Sequence, residues 1–98
     1  TSWAVGEFWA PEIHAVDGGY VAYFNAQNGS GRLVLGAAKS LSPTGPFIDI
    51  GAPLLGSTVD YIDPHSFLAS DGRRYLVWAT YDQPVTVIFG REVGPDGV

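Results

Sequence analysis

The segment Pro11…Asp17-Gly18…Tyr20-Val21-Ala22-Tyr23-Phe24 returns later in the chain as Pro64…Asp71-Gly72…Tyr75-Leu76-Val77-Trp78-Ala79. The two prolines are 53 residues apart, and Gly36 and Gly90, which close the echoed runs Leu33-Val34-Leu35-Gly36 and Val87-Ile88-Phe89-Gly90, are 54 apart. A self-similar period of this length means the chain builds one unit and then builds it again. Within each copy, Gly and Pro interrupt the sequence every few residues and leave short runs rich in Val, Ile, Leu, Phe, Tyr and Trp, the composition of strands. The runs are Ile13–Val16, Tyr20–Asn25, Arg32–Ala38, Phe47–Ile50, Ser66–Ala69, Arg74–Thr80 and Val85–Arg91. None is long enough for a helix of ordinary length. Asp17-Gly18-Gly19 and Asp71-Gly72 supply residues that tolerate positive φ, as tight hairpins require, and Asn28-Gly29-Ser30-Gly31 reads as a longer loop.

Four short strands in a repeat of this size make one blade of a β-propeller, whereas solenoid repeats are shorter or helical. The fold class expected is therefore all-β, with antiparallel four-stranded blades. One blade runs from about residue 10 to 50. A second runs from about 63 to 98 with three strands and lacks its fourth. A single partial propeller domain of 98 residues buries a modest share of its surface, so self-association through exposed blade faces is expected to make a homo-oligomer.

Ten acidic against five basic residues give a net charge of −5 and a pI near 4.6, a field that repels phosphate backbones. Nucleic acid is excluded as a partner on that ground. The bases Arg32, Lys39, Arg73, Arg74 and Arg91 are scattered and form no basic amphipathic face, so no membrane surface is expected as a partner either. No apolar run reaches spanning length. Without cysteine there is no disulfide, thiolate metal site or cysteine nucleophile. Because the chain begins with Thr and contains no Met, it reads as a processed product or an excerpt.

Four strings occur in order: Trp9-Ala10-Pro11-Glu12-Ile13, Ser42-Pro43-Thr44-Gly45-Pro46-Phe47, Tyr61-Ile62-Asp63-Pro64-His65-Ser66-Phe67, and Asp71-Gly72-Arg73-Arg74-Tyr75-Leu76-Val77-Trp78. Each is weak alone. Together they resemble glycoside hydrolase family 43, five-bladed propellers that cleave arabinose- and xylose-containing plant polysaccharides, over Trp9 to Gly90 and in the order of the family's second and third blades. The resemblance implies an inverting mechanism with a carboxylate base, a carboxylic acid, and a third carboxylate that orients the acid and tunes its pKa. Asp63, in Ile62-Asp63-Pro64, matches the third. The base belongs to the first blade and the acid to the fourth, and no string here resembles either. Inversion needs acid and base roughly 6.5–9.5 Å apart with water between them, so the isolated chain is expected to be inactive.

Other candidates follow from residue chemistry. Trp9 is the preferred aromatic for stacking on a sugar face. Glu12, which follows Pro11 where a carboxylate can face a central cleft, and His65 are the further substrate-side candidates, with a structural role for Glu12 somewhat favoured over the substrate-side one. Asp60 and Asp82 are weaker acidic rivals, and Asp17, Asp71 and Asp96 sit beside Gly as turn residues. His14 and His65 could begin a metal site, but no third ligand at suggestive spacing accompanies them, so no metal and no cofactor are expected. No serine lies in a nucleophile-elbow pattern. The function expected is thus a fragment of an inverting, family 43-like hydrolase with carbohydrate as its partner. A non-catalytic carbohydrate-binding or self-assembling propeller module is the alternative, and assembly of Asp63 and Glu12 from several copies into one site is disfavoured. The compartment is not written in the sequence, although a polysaccharide-degrading parent is expected to be secreted.

Overall fold

A computed structural model describes residues 3–56, 58–81 and 85–98. Among the described residues, seven antiparallel strands form two sheets, each in simple chain order. The first contains β1 (Ala4–Val16), β2 (Gly19–Asn28), β3 (Leu33–Ser40) and β4 (Ile48–Asp49); the second contains β5 (Tyr61–Leu68), β6 (Arg74–Thr80) and β7 (Ile88–Val93). Nearest-neighbour order with tight turns is what the hairpin signals demand: Gly18 and Gly72 take φ of 85° at the two Asp-Gly turns, a region where a Cβ is costly.

The sheets pack face to face. Period-two alternation sends Val21 and Tyr23 of β2, Leu35 and Ala37 of β3, and Leu76 and Trp78 of β6 into one core with Val93, while Val16, Leu54, Leu55, Tyr61 and Val98 close its margin. The C-terminal segment is strapped back onto the first sheet. Asp17 donates its backbone N–H to the Pro95 carbonyl at 3.0 Å, the Tyr23 hydroxyl donates to the Gly97 carbonyl at 2.6 Å, and Lys39 pairs with Asp96.

Strand boundaries differ from the sequence expectation chiefly around the two prolines. Pro has no N–H for a ladder, so strands were expected to begin after Pro11 and Pro64; instead β1 and β5 run straight through both. They can do so because each proline sits in a bulge. Trp9 pairs with Asn25 and Glu12 with Tyr23, so three steps along β1 match two along β2. Ile62 pairs with Ala79 and His65 with Val77, giving the same three-against-two count. Trp9 and Ile62, like Glu12 and His65, are 53 residues apart, so the bulge recurs at equivalent points of the repeat. At the other end, β4 shrinks to two residues and β7 begins at Ile88 rather than Val85.

Candidate functional site

The bulge in β5 puts Asp63 in an unusual backbone state. Its φ is 55°, one of two positive values among the described non-glycine residues, the other being Glu7 in β1. Asp tolerates this region better than most residues, yet the conformation still costs on the order of 1–3 kcal/mol. The side chain is exposed. Two residues on, His65 is also exposed, and its Nδ1 lies 2.5 Å from Glu12 Oε1 of the neighbouring sheet. A second imidazole completes the group: His14 Nε2 is 3.2 Å from the same carboxylate oxygen. Glu12 and His14 are two apart on β1 and therefore share a face. The His14 ring packs on Tyr23 and His65, with centroids 5.8 and 5.4 Å away.

The structure thus brings Glu12 and His65 together and adds His14. Glu12 lies in the same copy of the repeat as His14, two residues before it, and spacing along the chain did not reveal that His65 of the other copy meets both. The signal was present in the offset: Glu12 and His65 are equivalent residues just past equivalent bulges.

Trp9 precedes the β1 bulge, is 40% exposed, and meets Tyr81 edge-on at 6.4 Å, so one face of its indole can receive a flat apolar partner. Trp3 is used differently. Its indole N–H donates to Asp49 at 3.1 Å and its ring stacks on Phe24. Asp60 is engaged as an acceptor for the Leu33 N–H and as a partner of Arg32, which removes it as a rival to Asp63. Asp82 lies outside the described residues. Asp71 bonds the Arg73 N–H and the Tyr75 hydroxyl, as a turn residue should. A concavity of about 540 Å³ is lined by residues of β3, β4, their connection and Ile50, and shares none with Asp63, His65 or Glu12. It is an apolar edge groove without the convergent polar groups expected of a sugar site.

The fold defines an all-β protein of two packed antiparallel sheets, with an exposed Asp63 at positive φ two residues before the His65 that meets Glu12. Comparison with known proteins specifies the kind. The model for glycosyl hydrolases family 43 matches residues 1–97, and the chain belongs to that family. It is 38% identical over 74 residues to xylosidase/arabinosidase 43A of Humicola insolens and 34% identical to a xylosidase/arabinosidase of Bacteroides ovatus, covering 76% of this chain and 22% of each relative. The chain therefore spans about a fifth of the length of the curated relatives it matches. Among solved structures, a thermostable family 43 glycoside hydrolase superposes with a TM-score of 0.85 at 29% identity, over 97% of this chain and 33% of that one. A family 43 β-xylosidase/α-arabinofuranosidase from a compost microbial metagenome, solved with xylotriose, gives 0.68 at 38% identity over 78% of this chain and 22% of that one.

Proposed function

We propose that this chain supplies two adjacent blades, equivalent to the family's second and third, of an inverting hydrolase acting on arabinosyl or xylosyl linkages. The observation that carries the reading is Asp63, held at φ 55° inside a strand and left exposed two residues before the His65 that meets Glu12. Strained backbone of this kind persists where surrounding structure fixes it, and it concentrates at functional sites. Asp63 acts as the third carboxylate: it orients the general acid and, as a nearby negative charge, keeps that acid protonated at higher pH. Trp9 stacks on a sugar ring, and Glu12 with His65 forms the polar wall on the substrate side. The names of the relatives, both xylosidase/arabinosidases, support the sugar class.

In this reading the base and acid come from other blades, so the 98-residue chain alone releases no product. Its outward faces seek cover. Trp3, Phe8 and Phe24 form an aromatic cluster on the side of the first sheet away from the core, while Phe67, Leu68, Ile88 and Phe89 are exposed on the second. Isolated chains consequently associate through these faces.

The test is turnover of aryl arabinofuranoside and aryl xyloside by the intact protein, in which the other blades supply acid and base, carrying Asp63→Asn. A loss of kcat with altered pH dependence, and with KM little changed, is expected for a tuning carboxylate. Unchanged kcat and an unchanged pH profile would overturn the assignment. Glycan binding without any cleavage by the intact protein would favour the non-catalytic binding module instead.

A further inference from the structure

Among the described residues, three buried side-chain atoms have no hydrogen-bond partner: Asn25 Oδ1, Asn25 Nδ2 and Trp78 Nε1. We propose that Asn25 is a positioning residue for Asp63, joined through internal water to the backbone that the β5 bulge leaves out of the ladder, and that this joint holds Asp63 at positive φ. The inference deepens the reading of Asp63 as the tuning carboxylate and rests on that reading for its catalytic consequence.

All three atoms belong to the layer of the core that holds the bulge. Trp78 stands opposite the bulge in the ladder: Ile62 pairs with Ala79 and His65 with Val77, which leaves Trp78 alone against both Asp63 and Pro64. Asn25 reaches the same layer from the other sheet. β1 and β5 run in the same direction, because Glu12 meets His65 while the Ala15 carbonyl accepts from Arg74, the ladder partner of Leu68. β2 is antiparallel to β1 and therefore runs against β5. The Tyr23 phenol faces the Ser66 hydroxyl. Two residues on along β2 and two back along β5 keep to the core-facing side, so Asn25 lies across from Pro64. Both are fully buried.

The chemistry of this layer calls for a polar joint. The amide of Asn25 offers two donors and an oxygen that accepts, and enclosing it without partners at 0% exposure is unfavourable. A bulge leaves its extra residue out of the ladder, and Pro64 has no N–H with which to restore a bond. Trp78 adds an indole N–H that can only donate. Buried water makes about three hydrogen bonds to groups of this kind. Water that accepts from the Asn25 and Trp78 N–H groups and donates to Asn25 Oδ1 and to a carbonyl of the bulge satisfies them together. Asp63 gains from this directly. Its left-handed φ persists only where the surroundings fix it, and because its side chain is exposed, the fixing has to act on its backbone from the buried side, where Asn25 lies.

The experiment compares Asn25→Val with Asn25→Thr in the intact protein, because the two variants share a shape and differ by a methyl against a hydroxyl. Thermal unfolding should place the midpoint of Asn25→Thr above that of Asn25→Val, since the hydroxyl keeps a bond to the water. The opposite order, expected where a buried polar group serves nothing, would overturn the proposal. Asn25→Val is then combined with Asp63→Gly, which takes positive φ without strain. In that background Asn25→Val should lower the midpoint less than it does in the wild type, the sign of coupling between the two positions. An equal loss in both backgrounds would refute the positioning role. On the glycosidase reading, Asn25→Val should lower kcat for aryl xyloside by up to about 100-fold with KM little changed, and Asn25→Thr should recover most of it. A kcat unchanged in Asn25→Val, or lost equally in both variants, would contradict the proposal. The unfolding comparisons involve no sugar, so a protein without turnover fails the glycosidase reading while the order of midpoints still decides this one.

Discussion

Tyr23→Phe isolates the bond that ties the end of the second sheet to the first. The Tyr23 hydroxyl is fully buried and donates to the Gly97 carbonyl at 2.6 Å, so removing it deletes one hydrogen bond and strands a buried acceptor. Leaving such an acceptor unpaired costs about 1–3 kcal/mol. A domain of this size has roughly 5–15 kcal/mol in total, and each kcal/mol moves Tm by roughly 4–8 °C. Lys39→Ala is the matched control. It removes the Lys39–Asp96 pair one residue away in the same strap, but both side chains are more than 40% exposed, and such pairs contribute about 0–1 kcal/mol. Urea unfolding at neutral pH should therefore rank Tyr23→Phe as clearly the more destabilising. A smaller effect for Tyr23→Phe than for Lys39→Ala would refute the view that buried polar closure, rather than surface charge, holds the strap.

Burial raises the Tyr23 phenol above its usual 10.0, so the folded state holds that proton more tightly than the unfolded one. The stabilisation is complete below pH 10 and is lost as pH rises above it, a loss Tyr23→Phe should abolish in alkaline unfolding curves. Asp96 behaves oppositely: the hydrogen bond from Lys39 lowers its carboxyl below 3.8, so its small contribution is present above that pH and disappears as pH falls further, and added salt should shrink it. Gly36→Ala would place a Cβ 2.5 Å from the Phe24 ring and 2.9 Å from Trp3, so near-UV circular dichroism should report disruption of that aromatic stack. Leu76→Ala empties a fully buried position and should cost about 2–5 kcal/mol in denaturant unfolding. Asp63→Gly relieves the positive φ at some cost in chain entropy, so stability should hold or rise by about 1 kcal/mol while any glycosidase activity of the intact protein falls.

The all-β class, the hairpin turns and the sheet order were legible because apolar runs, Asp-Gly turns and the 53–54-residue echo agree with one another. The prolines misled the boundaries of β1 and β5. Local rules forbid Pro a ladder hydrogen bond, and only the pairing of Trp9, Glu12, Ile62 and His65 with their partners reveals the bulges that make its absence harmless. Asp63 could be singled out from its motif, but its positive φ could not. The meeting of His65 with Glu12 was hidden for a different reason: it is a contact between two copies of the repeat, and periodicity states that residues are equivalent without stating how far apart the axis places them. His14 had no motif to mark it and joins the group only through the period-two face it shares with Glu12.

The central claim is that these two blades hold the tuning carboxylate but neither the acid nor the base. It is tested most directly by assaying the purified 98-residue chain for release from aryl arabinofuranoside and aryl xyloside, with its mass in solution read by light scattering. No release, from an associated rather than monomeric species, is the result expected. Release that Asp63→Asn abolishes would contradict the claim, because it would mean that a complete hydrolytic site is assembled from these two blades alone.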